Sequence, residues 1–219
     1  VTLRATLFDM DGLLIDSEIL WEKAEKEIFG DLGVPIGQYH GRLTKGLFVD
    51  EVVKFWYAMH PWTGPSREEV SKMVLQRVGD LVESEGVLLP GVEHALSLCS
   101  ERGPIALASS TPLLLIERCL NAFSLKDRFA TISSAEFEEY GKPHPAVFLT
   151  SAKSIGAEPT DCLVFEDSSA GVLAAKAGRM TVVAVPVLED RELPAFGLAD
   201  VVLSSLNDLD AGWLDEQFA

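Results

Sequence analysis

The feature that most constrains this chain is an alternation. Six short apolar runs, rich in β-branched and small residues, recur along it: Ala5–Phe8, Ile105–Ala108, Ala130–Ser133, Cys162–Phe165, Thr181–Val185 and Val201–Leu203. Helix-like stretches lie between the later runs, at Val92–Arg102, Leu113–Ala122, Pro145–Ile155 and Ala170–Ala177. Strands alternating with helices of about ten residues predict parallel β/α units. Continuous rather than alternating apolar strands suit a sheet covered on both faces. The expected fold is therefore α/β, a Rossmann-like parallel sheet.

One stretch breaks the alternation. From about Ile15 to Val87 there is no convincing strand, only helical pattern at Ser17–Phe29, Asp50–Met59 and Arg67–Glu85. Trp21, Ala24, Ile28 and Leu32 recur at helical spacing, as do Val70, Met73, Val74, Arg77, Val78 and Leu81. Ser66 and Glu69 form a capping-box signature, and Pro61–Pro65 reads as a turn-rich connector. The expected organisation is a core of residues 1–14 and 88–219, carrying a helical insert over 15–87.

Composition narrows the function. Eighteen Lys and Arg against 34 Asp and Glu leave a net charge of −16, which argues against nucleic acid and anionic membrane surfaces as partners. Eight acids and one base fall in Val187–Ala219, read as a solvated acidic region. A 47% hydrophobic content argues for a packed core over disorder. The run Arg4–Phe8 is too short for a signal-peptide core, and no apolar run is long enough to span a membrane. Cys99, Cys119 and Cys162 are widely spaced in apolar stretches, which fits reduced core thiols of a cytoplasmic protein better than zinc ligation or disulfides.

Parallel sheets place ligands beyond the carboxyl ends of their strands. The first strand here ends in Asp9-Met10-Asp11-Gly12, the second in Ser109-Ser110-Thr111, and the fourth in Glu166-Asp167-Ser168-Ser169. Lys142 lies in Gly141-Lys142-Pro143, just before a helix. Clustered carboxylates repel one another unless some are protonated or a cation sits among them, and oxygen-only ligands favour a hard ion such as Mg²⁺. A carboxylate is a competent nucleophile towards phosphorus, and a second one two positions on is placed to shuttle a proton. Ser109 and Lys142 are suited to holding phosphate oxygens. Other motifs fail on spacing. Leu14 and Leu20 stand where an EF-hand needs Gly and Glu, and Leu47 stands where a P-loop needs Lys.

Taken together, Asp9-Met10-Asp11-Gly12, Ser109, Lys142 and Glu166-Asp167 match, in order, the four motifs of the haloacid dehalogenase-like hydrolases, and the chain resembles that family over nearly its whole length. The helical insert resembles the family's cap. Within the family, the segments Asp11–Glu18, Trp56-Tyr57, Pro61–Arg67, Leu89–Val92 and Lys142–Pro145 resemble bacterial phosphatases of 2-deoxyglucose 6-phosphate and hexitol phosphates, with β-phosphoglucomutase close by.

The resemblance implies Asp9 as the nucleophile that becomes an aspartyl-phosphate, and Asp11 as the acid and base. It implies Mg²⁺, with Mn²⁺ or Co²⁺ as substitutes, held by Asp9, the Asp11 carbonyl and Asp167, with Glu166 steadying its waters. Ser109, Ser110 and Lys142 would bind the phosphoryl group, and Glu18, Trp21 and Lys45 the rest of a small phosphorylated sugar. A monomer is expected. Two departures from the family pattern matter. Trp21 stands where the mutase carries a cap histidine, which favours a phosphatase. A cap arginine expected after Lys45-Gly46-Leu47 is absent, with Lys45 and Arg42 the candidates to replace it. A sugar phosphomutase and a non-catalytic phosphate-binding module are the alternatives.

Overall fold

The computed structural model describes residues 2–37 and 48–219. Lys45, Arg42 and the departure at Lys45-Gly46-Leu47 lie outside the described residues. The chain divides into two compact units, one of Val1–Ile15 with Leu88–Ala219 and the other of Asp16–Val87.

The first unit is built on a six-stranded sheet. Its strands are β1 (Ala5–Phe8), β2 (Ile105–Ser109), β3 (Thr131–Ser134), β4 (Cys162–Glu166), β5 (Thr181–Ala184) and β6 (Val201–Val202). The order is β3-β2-β1-β4-β5-β6, and all neighbours run parallel. Every residue of β1, β2 and β4 is buried, which explains their unbroken apolar sequence: both sheet faces are covered. Phe8 stacks on Phe165 across the β1–β4 pair, with ring centroids 4.8 Å apart.

The chain grows outward from β1 in both directions, so the strand order reverses between β1 and β4. That switch point opens a crevice at the carboxyl ends, where open α/β sheets take their ligands. Among the strands that run one residue further than the apolar pattern suggests are β2 and β4. Ser109 pairs with Ser134 and Glu166 with Ala184, so both polar residues are fixed by sheet hydrogen bonding instead of lying in loops.

Helices α4 (Val92–Ser100), α5 (Leu113–Ala122), α6 (Ala146–Ser154), α7 (Ser169–Ala177) and α8 (Ala211–Phe218) complete this unit among the described residues. The acidic region after Val187 is folded. Leu206, Leu209 and Leu214 are buried, the Leu3 N–H donates to the Gln217 carbonyl, and Arg102 pairs with Asp215. Its acids Asp208, Asp210, Asp215 and Glu216 stay exposed, so solvation holds for the charges and not for the segment as a whole. The three cysteines are buried and unbridged, and burial pushes the Cys99 and Cys162 thiols up to about 12.

The second unit carries α1 (Glu18–Asp31), α2 (Val49–Met59) and α3 (Arg67–Glu85). The Glu69 N–H donates to Ser66 Oγ at 3.2 Å, and the Ser66 N–H donates to Glu69 Oε2 at 2.7 Å, so the capping box forms as the spacing predicts. Trp62 donates its indole N–H to the Pro65 carbonyl at 3.1 Å, closing the connector before α3. Phe29 packs against Trp56 and Trp62, with centroids 6.3 and 6.0 Å away. Trp56 is thus a core residue of this unit. The two chain crossings run side by side: Ile15 bridges Leu88, and the Leu89 N–H donates to the Leu14 carbonyl.

Glu25 is buried in α1, and burial, reinforced by Glu22, raises its carboxyl to about 7. An acid with a raised folded-state pKa favours folding in its protonated form. That stabilisation is complete below the unfolded value of about 4.5 and fades as pH rises to about 7. Glu25→Gln is therefore expected to raise the unfolding free energy at pH 8 by on the order of a few kcal/mol. It should change little at pH 4.5, as paired urea titrations at the two pH values would show.

Candidate active site

Three strand ends and one loop build the site. Asp9 follows β1 directly, and its N–H donates to the Phe165 carbonyl of β4 at 3.1 Å. The crossover pairing thus continues one residue past β1 and fixes the Asp9 backbone. Lys142 reaches in from the loop before α6, across the cis peptide bond Lys142-Pro143. Its Nζ donates to Asp9 Oδ1 at 2.6 Å, Glu166 Oε1 at 2.5 Å and the Ala108 carbonyl at 3.2 Å. These are three acceptors for the three protons of one ammonium. The Lys142 stem passes near Phe148, with Nζ 4.7 Å from the ring centroid.

Glu166 ends β4 with its side chain wholly buried. Its Oε2 accepts from both the N–H and the Oγ–H of Ser168, each at 2.9 Å, so both carboxylate oxygens are engaged. Gly171, in the first turn of α7, makes room for it, because a Cβ there would collide with the Glu166 carboxylate. Gly12 does the same for Asp167. Its φ of +75° is a conformation that L side chains rarely adopt, and a Cβ there would meet the Asp167 carboxylate. The glycine after Asp11 is thus required twice, by the turn and by the neighbouring acid.

Asp9, Glu166 and Asp167 are all buried and offer oxygen atoms that lie within 4.8 Å of one another. Burial raises the Asp9 carboxyl to about 7, against the opposing pull of Lys142 and with Glu166 and Asp11 adding to the rise. Lys142 is itself held above its ordinary value: burial works against its charge, and Asp9 and Glu166 more than offset it. Three clustered carboxylates with one ammonium leave the site short of positive charge. A hard divalent cation fits this donor set, being oxygen-seeking and tolerant of carboxylates.

Asp11 stands apart from that cluster. Its Oδ2 accepts a hydrogen bond from Thr111 Oγ1 at 2.7 Å, across a hundred residues of sequence. Ser109 is buried at the end of β2. Its Oγ accepts the Thr111 N–H at 3.1 Å, which leaves the hydroxyl proton to donate elsewhere. Ser110 is half-buried beside it.

The sequence-derived residues Asp9, Lys142, Glu166 and Asp167 therefore meet at one edge of the sheet, with Asp11 and Ser109 joined to each other through Thr111. Glu18 and Trp21 lie three residues apart at the start of α1 in the second unit, both half-buried. Sequence reasoning missed Thr111, Ser168 and Gly171. Only the run of small residues after Glu166-Asp167 hinted at the last two. His144 donates its backbone N–H to the Gly141 carbonyl and sets its ring 5.3 Å from that of Tyr140, a structural role.

A family model for haloacid dehalogenase-like hydrolases matches residues 3–179. Hexitol phosphatase B of Escherichia coli is 48% identical over 209 residues, which is 94% of each chain. Among solved structures, CbbY from Rhodobacter sphaeroides in complex with phosphate superposes with a TM-score of 0.83 at 26% identity, covering 95% of this chain and 96% of that one. β-Phosphoglucomutase from Clostridium difficile superposes at 0.82 with 25% identity, over 99% and 97%. With a buried Asp9 paired to Lys142 at the switch point of a parallel sheet, and with likeness of this extent, the chain belongs to the haloacid dehalogenase-like hydrolase family, as one of its phosphatases.

Proposed function

We propose that the chain hydrolyses small sugar or sugar-alcohol phosphates, 2-deoxyglucose 6-phosphate and hexitol phosphates among them, with Mg²⁺ and through an aspartyl-phosphate at Asp9. The observation that carries this reading is the Asp9–Lys142–Glu166 arrangement, a buried carboxylate held at the crevice by a buried ammonium. The similarity to hexitol phosphatase B supports the substrate class.

The chemistry divides among the residues as follows. Asp9 forms a bond to phosphorus as the bond to the sugar oxygen breaks. Asp11 gives its proton to that departing oxygen, then takes one from the water that attacks the aspartyl-phosphate. That attack releases inorganic phosphate and restores both carboxyl groups. Lys142, exchanging one of its present acceptors, and the Ser109 hydroxyl donate to the phosphoryl oxygens as charge shifts among them, with Ser110 beside them.

Asp9, Asp167 and the Asp11 carbonyl would hold Mg²⁺, while Glu166, with both oxygens engaged, acts as an outer partner. When bound, the ion supplies positive charge that keeps Asp9 ionised and draws electrons from the transferring group. Mn²⁺ and Co²⁺ share its taste for oxygen and are expected to substitute. Asp16–Val87 is proposed to act as a cap, with Glu18, Trp21 and Lys45 contributing to choice of the leaving group. The substrate calls for neither nucleic acid nor membrane, and action as a cytoplasmic monomer is proposed. No helix among the described residues is long and apolar enough to cross a membrane.

The test is phosphate release from a panel of hexose, deoxyhexose, pentose and hexitol phosphates. Release is expected with Mg²⁺, abolished by EDTA and restored by added Mg²⁺. Isomerised sugar phosphate without free phosphate would replace this reading with a mutase. No turnover of any panel member would favour a binding module.

A further inference from the structure

Asp11 has two jobs in the reading above, and both need its carboxylate aimed at the reacting oxygen. The residue lies past the end of β1, bridged to Ile15 and next to a glycine of positive φ, so its backbone is placed and the aim of its carboxylate is left to side-chain contacts. One contact that sets that aim is the 2.7 Å hydrogen bond from Thr111 Oγ1 to Asp11 Oδ2.

Thr111 is well built for this. It is buried, with 6% of its surface exposed. Its N–H donates to Ser109 Oγ at 3.1 Å, and its carbonyl accepts from Ser134 Oγ at 2.7 Å. Ser134 Oγ in turn accepts the Glu136 N–H at 3.1 Å, and Glu136 Oε2 accepts the Leu113 N–H at 3.0 Å. The turn from β2 into α5 is thereby clamped to the end of β3 on both sides of Thr111. A β-branched side chain has little χ1 freedom, so a fixed backbone gives a fixed hydroxyl. A hydroxyl carries one proton, and here it is committed to the carboxylate. The same turn carries Ser109, so the group that would hold the phosphoryl oxygens and the group that orients the acid are parts of one rigid piece.

We propose that Thr111 is a positioning residue for Asp11, its hydroxyl hydrogen bond holding the carboxylate in the orientation that serves proton transfer to the leaving sugar oxygen. This inference rests on the assignment of Asp11 as the acid and base, and deepens it. Orientation is costly to lose, because a general acid contributes roughly 10²–10⁴-fold only when it is in reach of its proton acceptor.

The test compares two esters in Thr111→Val, Thr111→Ala and Thr111→Ser. Sorbitol 6-phosphate leaves as an alkoxide that needs a proton. p-Nitrophenyl phosphate leaves as a stabilised phenolate that does not, and its single-turnover burst reads the first step alone. Thr111→Val is expected to lower kcat on sorbitol 6-phosphate about 10–100-fold, with KM within about twofold and the nitrophenolate burst rate within a few fold. Thr111→Ser should recover most of the loss. Thr111→Ala gives the same reading should the valine variant fold poorly. Equal losses on both esters, no loss on either, or a change in KM alone would overturn the proposal. Asp11→Asn is the control. It should show the same ester preference more strongly, and an Asp11→Asn enzyme active on sorbitol 6-phosphate would remove the acid assignment itself. An inactive parent chain would instead count against the substrate reading.

Discussion

Asp9→Asn is expected to lower phosphate release by at least ~10⁴-fold, the scale on which enzymes lose a covalent nucleophile. The change is nearly isosteric. Asparagine's Oδ1 still accepts from Lys142 Nζ, which lies 2.6 Å from the aspartate oxygen, and the backbone bond to Phe165 is untouched. The substitution also removes a buried carboxyl whose burial already raises it to about 7, so the fold is expected to be at least as stable. What disappears is the anionic oxygen that bonds to phosphorus. Phosphate release and urea unfolding, measured on the same preparation, separate these effects: activity should vanish while the midpoint holds or rises. A variant with substantial activity would require another group to attack.

Lys142→Met should also be severe, and in a different way. Its Nζ satisfies Asp9, Glu166 and the Ala108 carbonyl at once, and the side chain is only 6% exposed. Methionine fills the same channel past Phe148 but leaves two buried carboxylates facing each other without their shared cation. Removing one member of a buried charge cluster typically costs about 3–5 kcal/mol, part of which protonation of Asp9 will offset. Loss of a donor to the transferring group should lower kcat by about 10²–10³-fold beyond any effect on folding. Lys142→Arg is not expected to rescue. A planar fork cannot place three donors on acceptors arranged around one compact ammonium. Steady-state kinetics at saturating Mg²⁺, alongside urea titration, checks both halves.

The parallel sheet was legible because its strands are buried on both faces. Unbroken apolar runs such as Ala5–Phe8 and Cys162–Phe165 leave little other reading. The site was legible for a related reason. In such a sheet the residues just past the strands converge, so Asp9, Ser109 and Glu166 are placed by topology alone, and Lys142 by its motif. Partners made only by the folded chain were harder to see. In sequence Thr111 is part of a polar turn, and only the fold sets its hydroxyl on Asp11; Gly171 is a helical glycine like any other, and only the fold sets the Glu166 carboxylate in the space its missing side chain leaves. The acidic region was harder to read because its exposed charges outnumber the buried apolar residues that anchor it, Phe196, Leu206, Leu209 and Leu214. The last helix, Ala211–Phe218, buries only Leu214, which gives a weak periodic signal.

The most direct test of an aspartyl-phosphate at Asp9 is trapping. Enzyme mixed with Mg²⁺ and a turning-over sugar phosphate is quenched within milliseconds, reduced with borohydride and digested, and its peptides are read by mass spectrometry. Conversion of Asp9 to homoserine, dependent on substrate and absent in Asp9→Asn, is the expected result. Reduction at another carboxylate, or none while phosphate is being released, would contradict the mechanism.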